Sequence, residues 1–210
     1  MTGDTQLVYV IDDDDAVRHS LGLLLDALGL KNQVYASALD FLEGFDPDRH
    51  SCVVCDVRMP ALSGLELQQR LAARGVEVPI IFITGHADVP MAVNAMKSGA
   101  ADFIQKPFRD QELIDRIHKA LQLDKERRET RREDLARQEG LQTLTPRETE
   151  VMQRVVSGQS NKVIAMDLGV SPRTVELHRA RVMRKLRMRS LAQLVKAVAR
   201  VLPGTAQGGR

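Results

Sequence analysis

A set of polar residues in the N-terminal half of the chain has types and spacing suited to phosphoryl chemistry. They are Asp12, Asp13, Asp56, Thr84 and Lys106, and each ends or follows a short apolar segment. Grouped carboxylates repel one another unless a hard cation joins them, and Mg²⁺ takes oxygen ligands while keeping waters that a phosphate can replace. A metal, a hydroxyl and an ammonium together compensate the charge of a phosphoryl group. The pattern therefore favours Asp56, the central carboxylate, as a nucleophile that forms an aspartyl phosphate.

Short β-branched segments alternate with helical patterns and would position these residues. Strands are predicted over Leu7–Ile11, Lys31–Tyr35, Cys52–Cys55, Ile80–Thr84 and Asp102–Ile104, and helices over Val17–Leu28, Ala38–Phe45, Gly64–Arg74, Pro90–Ser98 and Asp110–Leu121. This alternation is typical of an α/β doubly wound sheet, here with five parallel strands buried on both faces. Ligands of such sheets bind at the carboxyl ends of the strands. The five polar residues are predicted at those ends.

Charge divides the chain into an acidic N-terminal part and a basic C-terminal part. Residues 1–140 carry a net charge of −7 and residues 141–210 a net charge of +9. This asymmetry predicts that the C-terminal part contacts a polyanion. Mixed charges between the two parts favour an exposed helix. We therefore expect an N-terminal domain over 1–121, a charged helical linker over 122–141, an all-helical domain over 142–202 and a disordered tail over 203–210.

The basic region has the pattern of a helix-turn-helix. Helices are predicted over 146–157, 161–168, 172–187 and 190–201, and Thr145 and Glu148 have the spacing of a capping box. Gly158 and Gly169 follow two helix ends, where left-handed backbone is common. The turn at Gly169 and Val170 between the second and third of these helices is short, as in a helix-turn-helix.

A helical wheel separates a core face from a DNA-binding face on the third helix of the basic region. The core face is predicted to consist of Val175, Val182 and Leu186. The opposite face consists of Arg173, Leu177, Ala180 and Arg184, flanked by Glu176 and Arg181. Arginine can pair with guanine or phosphate, glutamate can accept from cytosine, and leucine can contact a thymine methyl group. The helix is therefore predicted to bind duplex DNA in the major groove.

Four segments of the N-terminal part resemble the receiver signature of two-component response regulators. They are Val10–Asp14, Cys55–Pro60, Ile83–His86 and Phe103–Phe108, and the similarity covers residues 6–121. The resemblance implies that Asp56 is the phosphoacceptor and that Mg²⁺ is held by Asp12, Asp13, Asp56 and the main-chain carbonyl of Arg58. It also implies that Thr84 and Lys106 contact the phosphoryl group, that Thr84 and Phe103 form the switch, and that the Lys106–Pro107 bond is cis.

The basic region resembles LuxR/GerE-type effector domains, and the pairing of domains resembles the FixJ-type subgroup. The similar segments are Leu144–Glu148, Gly158–Ala165 and Ser171–His178. The resemblance implies that Glu176, Leu177 and Ala180 face base edges, and that phosphates are contacted by Lys162, Arg173, Thr174, His178, Arg181 and Lys185. For His178, packing against the first helix of the motif is an equal alternative. The last helix, with an apolar stripe of Leu191, Leu194, Val195, Val198 and Val201, is implied to form a dimer contact, although the core of a monomer could also absorb it.

The resemblance implies a phosphorylation-activated DNA-binding transcriptional regulator of a two-component system, more commonly an activator. A histidine kinase would phosphorylate Asp56, and receivers would then dimerise through the fourth helix and fifth strand near Met91, Val93, Asn94 and Lys97. Promoter DNA and RNA polymerase are further expected partners. Two alternatives stay open, a hydrolase acting through an aspartyl phosphate and a DNA-binding protein whose acidic pocket is structural. RNA binding is disfavoured because aromatic residues make up only 3% of the chain.

Other features predict a cytoplasmic protein without a membrane partner. No stretch reaches the roughly 18 apolar residues that cross a bilayer, and the N-terminus lacks the basic region of a signal peptide. Cys52 and Cys55 have the C-x-x-C spacing of a redox pair or half of a metal site. Because they lie in an apolar strand pattern and point to opposite faces, we interpret them as buried strand residues.

Overall fold

The computed structural model describes residues 6–85 and 89–201, with only the backbone of residues 89 and 198–201. The chain divides into two compact units, residues 1–128 and 129–210. The elements of the first unit are β1 (Leu7–Ile11), α1 (Asp15–Ala27), β2 (Asn32–Tyr35), α2 (Ala38–Gly44), β3 (Ser51–Asp56), α3 (Gly64–Ala73), β4 (Ile80–Thr84), α4 (Val89–Lys97), β5 (Asp102–Gln105) and the first part of α5 (Asp110–Gln142). The predicted tail lies outside the described residues.

The first unit contains a parallel sheet whose strands run in the order β2-β1-β3-β4-β5. This confirms the predicted doubly wound fold. Every residue of β1, β3 and β4 is buried, which explains their nearly continuous apolar sequences, because helices cover both faces. The edge strand β2 is only partly buried. The two faces bury separate apolar clusters, and Cys52 and Cys55 belong to different ones, so the two thiols lie on opposite sides of β3 as predicted.

Helix α5 continues well past the predicted end at Leu121. It is a single helix from Asp110 to Gln142 and includes the whole charged segment. The helical character of the linker is thus confirmed, but the predicted helix end at Leu121 is wrong. Nothing in the segment stops a helix, since residues 122–139 contain neither proline nor glycine and their charges pair along the helix, as Arg137 does with Glu133.

A group of buried polar contacts holds α5 against the segment that leads into β3. Asp124, which is 2% exposed, accepts a hydrogen bond from the backbone amide of Ser51 at 3.0 Å and pairs with Arg128 at 2.6 Å. Arg128 also donates to the carbonyl of Arg49 at 2.6 Å. The Nε2 atom of buried His50 lies 2.9 Å from the carbonyl oxygen of Leu121. These contacts make α5 as far as Arg128 part of the first unit.

The second unit is helical in the described residues. It contains the end of α5, α6 (Pro146–Val156), α7 (Asn161–Leu168), α8 (Pro172–Lys185) and α9 (Leu191–Val201). Thr145 and Glu148 form the predicted capping box, and Gly158 and Gly169 have the predicted positive φ angles of 81° and 63°. The core includes Val175, Val182 and Leu186, which confirms the predicted inner face of α8.

Candidate functional site

The ammonium of Lys106 joins two carboxylates at the carboxyl edge of the sheet. Its Nζ atom lies 2.6 Å from Oδ2 of Asp12 and 2.9 Å from Oδ1 of Asp56. Asp12 follows β1, Asp56 ends β3, and Lys106 follows β5, so three strands contribute to one site. Asp12 is 1% exposed and Asp56 7% exposed. The convergence predicted for these three residues is therefore present.

Burial and the neighbouring charged groups shift the pKa values of Asp12 and Lys106 in opposite directions. Burial raises the pKa of Asp12 above its ordinary value, against the lowering effect of its hydrogen bonds with Lys106 and the backbone amide of Asp14. Burial alone would lower the pKa of Lys106, but its hydrogen bonds with Asp12 and Asp56 outweigh burial and raise that pKa. Lys106 therefore stays charged and compensates the buried carboxylates.

The backbone around Asp56 fixes the orientation of its side chain. Oδ2 of Asp56 accepts a hydrogen bond of 2.6 Å from the amide of Arg58. Gly64 begins α3 so close behind the strand that an added Cβ would lie 2.4 Å from the main-chain oxygen of Asp56. A glycine is thus required at this position because any side chain would displace the end of β3. Sequence reasoning missed Gly64, although its place at a predicted helix start was visible.

The other predicted receiver residues lie on β4, on β5 and directly after β1 and β5. Thr84 ends β4 and is 1% exposed, and its carbonyl accepts a hydrogen bond from the amide of Lys106 at 2.8 Å. Phe103 on β5 is half-buried and packs against an apolar cluster. The Lys106–Pro107 peptide bond is cis, as predicted. Asp13 is exposed, and among the described residues its side chain does not form a metal-holding group with those of Asp12 and Asp56.

The donor set fits Mg²⁺ better than a metal that requires a closed protein cage. Within the described residues, no group of three or more His, Cys, Asp or Glu side chains is arranged to hold a metal ion. Asp12 and Asp56 instead offer two carboxylates near a common point. Mg²⁺ is commonly bound through one or two carboxylates and retains several waters. The residues present therefore suit a hydrated magnesium ion.

The outer face of α8 is exposed and basic. Leu177 is 52% exposed, and the other exposed members of the predicted DNA-binding set on this helix are Arg173, Glu176, Ala180, Arg181 and Arg184. Thr174 is half-buried, and its hydroxyl lies 2.8 Å from that of Ser171, the residue that caps α8. Lys162 is exposed near the start of α7. These positions leave one face of α8 free to enter a groove.

Two predicted phosphate contacts have different surroundings from those expected. The ammonium of Lys185 lies 2.6 Å from Oε2 of Glu148 and donates to the carbonyl of Thr143 at 2.8 Å. Lys185 is thus engaged within its own unit because Glu148 is 2% exposed and requires a cation. His178 is half-buried, and its Nδ1 atom is buried without a hydrogen-bond partner among the described residues.

Arginines that sequence reasoning did not single out fix α7 relative to its neighbours. Arg147 donates to the carbonyl of Leu168 at 2.5 Å, and Arg154 pairs with Asp167 at 2.5 Å. Arg179 of α8 donates to the side chain of Asn161 at 2.5 Å. These partners are 13 to 21 residues apart in sequence, so no local pattern indicates them. Together they orient the two helices of the motif.

The last helix is divided between core and surface. Leu194 is buried in the core of the second unit, whereas Leu191 and Val195 are 43% and 38% exposed. The side chains of Val198 and Val201 lie outside the described residues. The core thus absorbs only part of the predicted stripe.

Comparison with known families identifies both units. Residues 8–118 match the response regulator receiver domain, and residues 142–198 match the luxR family of bacterial regulatory proteins. A receiver sheet joined to a helix-turn-helix defines a DNA-binding response regulator. The chain belongs to the two-component response regulators with a receiver and a LuxR-type DNA-binding domain.

Similar proteins share both units and nearly their full length with this chain. The transcriptional regulatory protein FixJ of Azorhizobium caulinodans is 49% identical over 90% of this chain and 90% of its own. Nodulation protein W of Bradyrhizobium diazoefficiens is 47% identical over 90% of this chain and 84% of its own. The low-resolution structure of response regulator StyR has a TM-score of 0.79 at 44% identity and covers 93% of this chain and 99% of that one.

A full-length FixJ structure from B. japonicum is also similar. It has a TM-score of 0.55 at 42% identity and covers 92% of this chain and 96% of that one. In the part of this chain that the structure describes, no helix is long and apolar enough to span a membrane.

Proposed function

We propose that phosphorylation of Asp56 switches the C-terminal helix-turn-helix of this regulator to its DNA-binding state. The observation that carries the proposal is the ammonium of Lys106 shared between Asp12 and Asp56. Two carboxylates held beside a cation at the carboxyl edge of a parallel sheet suit a phosphoryl group that arrives there. The phosphoryl donor would be a partner histidine kinase.

The chemical step is a transfer to one carboxylate oxygen of Asp56. A bond forms between that oxygen and phosphorus while the bond from phosphorus to the donor nitrogen breaks. The amide of Arg58 holds the carboxylate in place, and Lys106 compensates the negative charge of the phosphoryl oxygens. Magnesium would be held by Asp12, Asp56 and the carbonyl of Arg58, with the exposed Asp13 turning toward the ion when it binds, and would supply further positive charge at these oxygens. The protein promotes only the phosphorylation and dephosphorylation of its own side chain.

The switch would run from the acceptor to the surface around α4 and β5. Thr84 would bond the phosphoryl group, and Phe103 would then turn further inward. An equilibrium between two states that already exist is biased by such a step. Val93 on α4 is 42% exposed, and Asn94 and Lys97 are exposed beside it. We assign this surface, with half-buried Met91, to the phosphorylated homodimer.

The output would be control of transcription at a promoter. Activation is the more common outcome in proteins of this family. Glu176, Leu177 and Ala180 would face base edges, and phosphates would be contacted by Lys162, Arg173, Thr174, His178, Arg181 and Arg184. Lys185 would not contact a phosphate, because its ammonium is engaged by Glu148. A second contact between copies through α9 matches the two-fold symmetry of many operator sites. RNA polymerase would be the partner at the promoter, and the protein would act in the cytoplasm.

The test measures size and DNA binding with Mg²⁺ and acetyl phosphate added or withheld. Wild type is compared with Asp56→Asn and with the control Asp15→Asn, whose carboxylate lies at the start of α1 and pairs with Arg18. We expect wild type and the control to dimerise and bind DNA more tightly with the donor, and Asp56→Asn to do neither. A donor response in Asp56→Asn contradicts the proposal. DNA binding that ignores the donor in all three proteins favours a structural pocket instead.

A further inference from the structure

A cleft lined with arginines lies within the second unit, apart from the outer face of α8. It has a volume of about 500 Å³ between the C-terminal part of α5 and the turn from α8 to α9. Its cationic residues are Arg132, Arg137, Arg187 and Arg189. None of the four belongs to the DNA contacts assigned above, and none has a role in the receiver site.

Three of these arginines have no anionic partner among the described residues. Arg137 pairs with Glu133 and Asp134 at 2.6 Å, but no ion pair within the described chain involves Arg132, Arg187 or Arg189, and all three are exposed. The only acidic residue that lines the cleft is Glu133. The cleft therefore carries an excess of positive charge, which favours an anionic ligand.

The backbone at Arg187 adds an independent observation. Its φ angle is 54°, in the left-handed region that follows many helix ends and that glycine adopts without strain. An ordinary side chain there costs about 1 kcal/mol, yet this position holds an arginine. Strained backbone of this kind is found more often where a side chain serves a function. Arg187 lines the cleft together with Arg132 and Arg189.

We propose that this cleft binds phosphate groups, and that their source is the backbone of the same DNA duplex that α8 contacts. Planar guanidinium groups bind phosphate oxygens in pairs of hydrogen bonds, which suits arginine more than lysine. Arg187 and Arg189 follow α8 directly in sequence, so a duplex lying along α8 passes near them. The inference rests on the proposed DNA binding and extends it to residues on α5 and in the turn.

The first test neutralises the cleft in the full-length protein. The triple variant Arg132→Gln, Arg187→Asn and Arg189→Gln is compared with wild type on a mixed-sequence duplex across a range of salt concentrations. Asparagine is chosen at Arg187 because it tolerates the left-handed backbone. Each lost phosphate contact lowers the slope of log affinity against log salt by about 0.9. We expect the slope to fall by about 2 to 3.

Two controls separate a contact from a general loss of charge or stability. Arg131→Gln removes a neighbouring exposed charge outside the cleft and should leave the slope nearly unchanged. Lysine at all three positions keeps the charge and should restore most of the slope, but less of the affinity, because lysine lacks the paired donors. Equal melting temperatures establish that the variants are folded.

ATP serves as a probe for a free phosphate ligand in place of DNA. If wild type binds ATP, the triple variant does not, and the salt slope is unchanged, the cleft binds phosphate from a soluble source. An unchanged slope together with the same ATP binding in wild type and variant overturns the inference. Failure of wild type to bind any duplex would instead contradict the proposed function, so the two failures are distinguishable.

Discussion

Replacing Glu148 with glutamine tests how strongly one buried ion pair stabilises the DNA-binding unit. The carboxylate is 2% exposed and lies 2.6 Å from Nζ of Lys185 and 2.9 Å from the amide nitrogen of Thr145. Lys185 ends α8 and Thr145 caps α6, so one side chain connects the two helices. Glutamine has nearly the same shape but no charge, and the substitution therefore isolates the electrostatic contribution.

The magnitude follows from the pKa of Glu148. The hydrogen bond from Lys185, followed by that from the Thr145 amide, lowers this pKa to about 2, from an ordinary value of 4.5. A difference of this size corresponds to about 3 kcal/mol. Solvent reaches the Lys185 side chain, which is 27% exposed, and screening reduces the figure to about 1–2 kcal/mol. We expect Glu148→Gln to lower the free energy of unfolding by this amount at pH 7.

The lowered pKa of Glu148 also determines how the stability difference between wild type and Glu148→Gln changes with pH. A carboxyl group whose pKa is lower in the folded state stabilises that state fully above its unfolded pKa, and this contribution is lost as the pH falls through the folded pKa. The difference between wild type and Glu148→Gln should therefore be largest above about pH 5 and should vanish as the pH approaches 2.

The assay is urea unfolding of the full chain from pH 7 to pH 2, with hydrogen exchange of α6 and α8 amides to locate the change. Glu150→Gln is the matched control on the same helix. Its carboxylate is 42% exposed and pairs with Arg147 and Arg154, and loss of such a surface pair costs less than about 1 kcal/mol. Equal losses for both variants, or a difference for Glu148→Gln that does not change with pH, would refute the reasoning.

Three further predictions concern the receiver unit. Lys106→Met removes the cation that competes for the two carboxylates, so calorimetry should show Mg²⁺ binding about tenfold tighter while phosphorylation by acetyl phosphate falls; weaker Mg²⁺ binding would contradict the competition. Gly64→Ala should destabilise the protein by about 1–3 kcal/mol in urea and slow phosphorylation, because its methyl group meets the strand that carries the acceptor. Gly22→Ala, which has room for a methyl group in α1, should instead stabilise by about 0.5–1 kcal/mol. Burial raises the pKa of both Cys52 and Cys55, so a thiol reagent at pH 8 should label neither until the protein is unfolded; rapid labelling of the folded protein would contradict their burial.

Sequence patterns predicted the sheet and the carboxylate–lysine cluster because both depend on local signals. Apolar runs fix the buried strands, and polar residues at their ends meet once the strands are parallel. Strand β2 was less clearly indicated, since Val34 is 45% exposed and its edge position requires no continuous apolar run. The ends of the buried strands were predicted to within one residue.

The features that were missed depend on contacts between distant segments. The phosphate contact of Lys185 was implied by the family resemblance, which does not indicate its partner Glu148, 37 residues away in sequence and buried only after α6 and α8 pack together. The end of α5 was placed at Leu121 because apolar periodicity stops there. Beyond Leu121 the helix is stabilised by paired charges and has no continuous apolar face. Apolar periodicity therefore cannot predict this part of the helix.

The contacts between α5 and the start of β3 bear on how receivers can be joined to other output domains. The family match ends at residue 118, but Asp124 and Arg128 are still bonded to residues 47–51. A chimera that exchanges the chain just after Leu121 would leave the buried amide of Ser51 without its acceptor, at a cost of about 1–3 kcal/mol. Ser51 begins the strand that ends in Asp56, so the lost hydrogen bond would destabilise the strand that carries the phosphoacceptor. A receiver of this type should therefore be transferred between proteins only as a segment that extends through Arg128.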